Sequence, residues 1–211
     1  MKIDWVTVGP FQENSYLIVD EQSRRAVLVD PGDEASRIIG MVRDAGVTPE
    51  AIWLTHAHLD HVGAIAAIKR EWKLPVFLHN DDLVIYRRAS QSAVRYGFTM
   101  VQPPEPDHSL ADGDALNVGA LRFTVRHTPG HAPGHVVFHG EGAMFGGDLL
   151  FAGSIGRTDL PLSNPDDMET SLALVATFDR DTVVYPGHGP PTSIGNELMT
   201  NPFLADVVER T

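Results

Sequence analysis

The sequence predicts an α/β chain in which two sheets pack face to face with helices outside. Three observations lead there. Short apolar runs of strand composition alternate with helical stretches, the alternation occurs twice, over roughly residues 1–100 and 101–190, and the residues able to do chemistry fall where predicted strands end. A length of 211 residues suits one domain spanning 1–211. A hydrophobic content of 43% with 21% charged residues is that of a globular chain and argues against disorder along its length.

In order, Trp5–Val8, Tyr16–Val19 and Ala26–Val29 read as three strands of an antiparallel meander, the last ending in the turn Asp30-Pro31-Gly32. Ile38, Ile39, Met41, Val42 and Ala45 suit one helix face, which Gly46 stops. Ala51–Leu54 is a short buried strand, Ala64–Trp72 a helix, Pro75–Leu78 a strand and Asp81–Phe98 a helix. The prolines at 103, 104 and 106 impose an extended loop over Gln102–Asp107. The character then turns to β: Ala115–Val118, Leu121–Arg126, His135–His139 and Ala143–Phe145. Asp166–Phe178 reads as a helix with Pro165 in its first turn, and Thr182–Tyr185 as a last strand ending in Pro186-Gly187-His188-Gly189.

The charge balance excludes some partners. Lys plus Arg is 16 and Asp plus Glu is 28, a net charge of −12, the wrong sign for nucleic acid or an anionic membrane. With no cysteine there is no disulfide, thiolate ligand or Cys nucleophile. Met1–Pro10 lacks the apolar core of a signal peptide and no run is long enough to span a bilayer, so a cytoplasmic protein is expected.

The sharpest signal is His56-Ala57-His58-Leu59-Asp60-His61. In extended backbone residues i and i+2 share a side, so His56 and His58 can grip one ion together. Asp60 and His61, at the turn into a helix, can reach a second. His131, Asp148 and His188 lie at three further strand ends, each beside glycine. The count then works for two divalent ions: His56, His58 and His131 on one, Asp60, His61 and His188 on the other, Asp148 between them. Imidazole and carboxylate suit zinc first, with iron or manganese as alternatives. A pair of ions ~4 Å apart can share a hydroxide at neutral pH and polarise a carbonyl.

THAHLDHVG (Thr55–Gly63), HTPGHAPGH (His127–His135), GGDLLF (Gly146–Phe151) and YPGHGPPT (Tyr185–Thr192) together resemble the metallo-β-lactamase superfamily, in order and in kind. The resemblance spans nearly the whole chain and implies a four-layer αββα sandwich holding a dinuclear centre. Gly153–Pro161 and Asn201–Leu204 are similar to the short glyoxalase-II-like hydrolases. The resemblance therefore implies hydrolysis of a small acyl thioester such as S-D-lactoylglutathione, by attack of a hydroxide between the metals. His58, Asp60 and Asp148 would be the catalytic residues, with Asp60 also orienting the nucleophile. Longer members carry a C-terminal helical domain that builds much of the glutathione site, whereas only a short tail follows His188. Arg157 stands near where those enzymes place a glutathione-contacting Lys. It is expected either to bind a substrate carboxylate or to pair with Asp159. A lactonase, or a persulfide dioxygenase with one iron on His56, His131 and Asp148, are the alternatives on the same fold.

Other residues have plainer expectations. His127 and His135, flanking His131, are candidates for hydrogen-bonding behind the ligands or for packing. His79, His108 and His139 lie outside the ligand set. Trp5, Trp53 and Trp72 are expected in or against the core, and Phe11 and Tyr16 are candidates for the substrate mouth. Asp30 and Thr55 precede turns and can support the metal loop.

Overall fold

The first apolar runs do pair as an antiparallel meander in the computed structural model, which describes residues 1–210, the last three by backbone alone. Lys2–Val8 (β1), Glu13–Val19 (β2) and Arg25–Val29 (β3) lie side by side. Ala35–Ala45 (α1) follows and ends at Gly46, whose φ of 64° and N–H bond to the Arg43 carbonyl make the stop foreseen from the sequence. Thr48–Trp53 (β4) then runs parallel to β3, and Leu59–Val62 (α2) and Ile65–Trp72 (α3) lead to Val76–His79 (β5), parallel again.

The expected single helix over 81–98 is broken into Leu83–Tyr86 (α4) and Ala89–Arg95 (α5), preceded by a 3₁₀ turn at Asn80–Asp82. Four apolar residues in a row cannot share one face of a continuous helix. The break buries Tyr86, whose hydroxyl donates to the Pro104 carbonyl at 2.7 Å and ties down the proline-rich loop. After that loop His108–Leu110 (β6), unforeseen because it is so short, adds a parallel edge strand beside β5.

The second half repeats the plan. Ala115–Val118 (β7), Leu121–His127 (β8), Val136–Gly140 (β9) and Ala143–Gly147 (β10) are antiparallel neighbours. The short hairpin Leu150–Phe151 (β11) and Ser154–Ile155 (β12) precedes Pro165–Ala176 (α6), capped by the Asn164 side chain. Val183–Pro186 (β13) returns parallel to β10, Thr192–Ser193 (β14) follows, and Ile194–Thr200 (α7) and Pro202–Arg210 (α8) end the chain.

Two six-stranded sheets result, ordered β1-β2-β3-β4-β5-β6 and β14-β13-β10-β9-β8-β7. Tyr16, Ile18, Trp53, Phe123, Phe138 and Phe145 fill the space between them. Leu17, Leu28 and Ile52 face the other way, under α1–α3, while Val137, Met144 and Val184 face α6–α8. This is the αββα sandwich. β2 is buried on both faces, which is why its sequence reads as a continuous apolar run rather than an alternation. Trp53 and Trp72 pack as expected, but Trp5 is 48% exposed: it sits on edge strand β1, leaning on Tyr16 with ring centroids 6.4 Å apart. Among the described residues no helix is long and apolar enough to cross a membrane.

Candidate metal centre

The segments carrying the candidate ligands meet at one end of the two sheets. His56, His58, Asp60 and His61 follow β4, His131 follows β8, Asp148 follows β10 and His188 follows β13. Metal-binding atoms of His56, His58 and His131 lie within 4.8 Å of one another, as do those of Asp60, His61 and His188. Asp148 stands between the triads, with Oδ1 3.4 Å from His61 Nε2 and Oδ2 3.4 Å from His131 Nε2 and 3.5 Å from His188 Nε2. His188 Nε2 is also 3.3 Å from Asp60 Oδ2.

Four of the histidines turn a nitrogen outward to a protein oxygen and so aim the other inward. His61 Nδ1 donates to Asp30 Oδ2 at 3.1 Å, His131 Nδ1 to the Arg157 carbonyl at 2.9 Å and His188 Nδ1 to the Gln12 carbonyl at 3.3 Å. His56 Nδ1 faces Thr55 Oγ1 at 3.1 Å, and that hydroxyl already donates to Asp30 Oδ2, so it must accept from the ring. In the neutral ring, the form that binds a metal, each bond selects the tautomer that leaves Nε2 with its lone pair toward the cluster. His58 instead turns Nδ1 inward, 2.8 Å from His131 Nε2.

Second contacts hold the loops. Asp30 Oδ1 also accepts the Thr55 N–H at 2.7 Å. Asp82 accepts the Ala57 N–H at 2.7 Å and the Gly134 N–H at 2.6 Å, tying the HxHxDH loop to the one after His131. His135 Nε2 accepts the Asp148 N–H at 3.1 Å, placing it behind the cluster. Asn14 donates to the carbonyls of Pro186 and Gly189, and the Tyr16 hydroxyl donates to that of Pro186, anchoring the His188 loop. Tyr16 is thus buried away from the substrate mouth, whereas Phe11 does line the cavity. Gly32 is required by contact: a Cβ there would meet the Asp60 carbonyl oxygen at 1.8 Å.

The electrostatics favour ionised carboxylates at Asp60 and Asp148 and neutral imidazoles at His56 and His58. Burial, then His61, His58 and His131, push His56 well down, and burial beside His131 pushes His58 to about 3. Burial opposes charge on Asp148, but His61, His188 and His131 outweigh it and hold its pKa well below the usual carboxylate range. Asp60 is held down in the same way by His61 and His188. Burial lowers His188, yet Asp148 and Asp60 outweigh it and bring it up to about 10.

Among the described residues, buried side-chain atoms without a hydrogen-bond partner include His56 Nε2, His61 Nε2 and Asp148 Oδ1. All three point into the cluster. Unpaired buried polar atoms are costly, roughly 1–3 kcal/mol each, and divalent cations are what such a set of nitrogen and oxygen donors satisfies. The residues therefore fit a divalent metal centre. Of the other histidines, His79 and His127 stack on each other with ring planes 10° apart, His108 lies against Phe77, and His139 stacks on Phe178.

The cluster opens into a cavity of about 610 Å³ lined by α4, α5, β11, β12 and the 157–162 segment. Arg157 lines it, but its guanidinium is engaged by Asp159 through two bonds of 2.6 and 2.8 Å. Sequence reasoning missed Asp82 and Asn14. No local motif marks them, because each acts on residues distant in the chain.

An αββα sandwich with a His/Asp cluster at the strand ends is the architecture of the metallo-hydrolases of one superfamily. The chain belongs to the metallo-β-lactamase superfamily, whose family model matches residues 8–188. It is 35% identical to the hydroxyacylglutathione hydrolase GloC of Haemophilus influenzae (strain ATCC 51907 / DSM 11121 / KW20 / Rd), over 97% of this chain and 98% of that one. It is similar to the solved structure of TTHA1623 in a di-iron-bound form, with TM-score 0.89, 44% identity and coverage of 95% of this chain and 99% of that one. It is also similar to the BLEG-1 B3 metallo-β-lactamase, with TM-score 0.90, 36% identity and coverage of 96% and 99%.

Proposed function

We propose that the chain hydrolyses a small acyl thioester, of the hydroxyacylglutathione kind, at a centre of two divalent ions. The observation that carries this is the convergence of two donor triads on Asp148, with buried donor atoms in both halves left unpartnered by the protein. His56, His58 and His131 would hold one ion, Asp60, His61 and His188 the other, and Asp148 both. The donor set suits zinc or iron, and the similarity to the di-iron form of TTHA1623 supports keeping iron beside zinc. Two such ions, held there, would make a water nucleophilic at neutral pH and would polarise the acyl carbonyl.

The chain's own residues do the rest. Asp60, ionised because His61 and His188 outweigh its burial, accepts a hydrogen bond from the attacking water and orients it. Asp30, through His61 and Thr55, and His135, through the Asp148 backbone, keep the donors aimed. A thiol of pKa about 8.5 leaves readily as thiolate, so no strong general acid is needed beside it. A cavity of about 610 Å³ accommodates a substrate of peptide size. Similarity to the Haemophilus hydroxyacylglutathione hydrolase supports the same substrate class. A one-iron dioxygenase would leave Asp60, His61 and His188 without an ion, and the buried, unpartnered Nε2 of His61 speaks against it.

The test is to purify the protein without chelator, count metals per chain, and assay one sample on S-D-lactoylglutathione, a cephalosporin, and glutathione persulfide with oxygen uptake. Two metals with thioester cleavage, no β-lactam turnover and no oxygen consumed are expected. One iron with oxygen uptake, or β-lactam cleavage in place of thioester cleavage, overturns the reading.

A further inference from the structure

We propose that Arg88 and Arg95 form an anion subsite that holds the thiol portion of the substrate through its carboxylates. The identity of that portion rests on the thioesterase reading above; the subsite itself is a feature of the cavity wall. α5 is anchored by Ala89 and Ala93, which are fully buried, and it packs against α2, the helix carrying Asp60 and His61. Arg88, Ser92 and Arg95 recur at i, i+4 and i+7, one helical face, and all three line the cavity that also contains His58, Asp60, Asp148 and His188.

Charge is distributed unevenly around this cavity. Carboxylates outnumber basic side chains, 28 to 16, and Arg25, Arg37, Arg43, Arg87 and Arg126 are each paired with one. The cavity lining has no carboxylate except Asp60 and Asp148 of the metal centre. Among the described residues, neither Arg88 nor Arg95 has a side-chain partner, and Arg157 is already taken by Asp159. Two free guanidiniums beside a metal centre, in a chain of net charge −12, make a local cationic wall that draws an anionic ligand out of an otherwise repelling field. The planar fork of arginine matches a carboxylate bidentately. Arg88 caps α5 and Arg95 is its last residue, a separation of about 10 Å along the axis, close to three residues of extended peptide. A short peptide thiol with a carboxylate at each end fits that spacing.

The experiment measures binding first, so that it does not depend on turnover. S-hexylglutathione, its dimethyl ester and coenzyme A are titrated by calorimetry into the metal-loaded wild type, R88Q, R95Q, the double variant and R122Q. Arg122 is exposed and outside the cavity, so R122Q matches the charge change without touching the wall. The expected result is a loss of about tenfold per guanidinium for S-hexylglutathione, the strength of a charged hydrogen bond, with the ester and R122Q within about threefold. With S-D-lactoylglutathione R88Q, R95Q and the double variant should raise KM and leave kcat nearly unchanged, and R122Q should change neither. Equal weakening of acid and ester, no change, or no wild-type binding of S-hexylglutathione overturns the subsite. Arginine-dependent binding of coenzyme A but not of the glutathione conjugate overturns the carboxylate assignment in favour of phosphate. If arginine-dependent binding is found and no thioester is cleaved, the subsite stands and the thioesterase reading falls.

Discussion

Replacing Gly156 by alanine changes no candidate ligand, yet it should disable the centre. A Cβ on Gly156 would lie 1.8 Å from the Asp148 carbonyl oxygen and 3.3 Å from His131 Cγ. The nearer contact is with backbone, which cannot swing aside like the end of a side chain. Restoring even a 3.0 Å approach demands about 1.2 Å of movement, and a misplacement of that size at reacting groups costs on the order of 10²-fold in rate. The movement cannot be confined to the new methyl group. On one side it displaces Asp148, and on the other the segment whose Arg157 carbonyl orients His131. Overpacking itself costs roughly 1–3 kcal/mol of stability, so the variant should still fold. The assay compares kcat/KM for thioester hydrolysis at matched metal loading, metal retained after gel filtration, and Tm. A loss of about 100-fold in kcat/KM, near 2.7 kcal/mol, with metal lost from the centre is expected. Gly40→Ala serves as the control: nothing lies within 4 Å of its Cβ position in α1, so activity should hold and stability rise by up to about 1 kcal/mol. If Gly156→Ala keeps both metals and stays within about threefold of wild type, the close packing of Asp148 against this segment does not position the ligands and the reasoning fails.

Three more expectations follow from the same geometry. His58→Ala removes a donor without touching the core and should cut hydrolysis by at least about 100-fold with the fold intact by circular dichroism; near-normal turnover would sink the two-ion centre. Stripping the metals with chelator should lower Tm by on the order of 10 °C, the effect of losing a ligand present at about 1,000 times its Kd, whereas an unchanged Tm means that the cluster is not where metal binds. Burial raises the Asp82 carboxyl from 3.8 to about 6 despite its two backbone bonds. The folded state therefore holds its proton more tightly, and the stabilisation is complete below about pH 4 and lost as pH rises through about 6. Urea titrations from pH 4 to 7 should show the wild type losing up to about 3 kcal/mol relative to Asp82→Asn; parallel curves would contradict it.

Much of this was legible in the sequence because it is local. Every strand of five or more residues and the helices α1, α3 and α6 follow from apolar runs, while α7 and α8 went unforeseen; Gly46 and Pro165 mark a helix end and a helix start, and the HxHxDH spacing brings two imidazoles to one side of extended backbone. The seven donors could be named because their residue types and neighbouring glycines mark them singly. The sequence misled where tertiary contacts override a local pattern. Tyr86 is drawn inward and splits the helix expected over 81–98, and Trp5 lies on an edge strand that has a neighbour on one side only.

What the sequence determined by itself, then, is the run of elements and the donor types. The tertiary structure alone decided how those donors are held and what surrounds them. Asp30 reaches Thr55 across 25 residues, Asp82 reaches Gly134 across 52, and Asn14 reaches Gly189 across 175. Arg88, which caps α5, and Arg95, at its end, line the cavity because α5 packs on α2, the helix of Asp60 and His61. Periodicity reports which face of an element is apolar; it carries no information about which distant backbone will pass within 3 Å of a carboxylate. That is fixed by the order of strands in the two sheets, and it is there that the centre acquires its geometry.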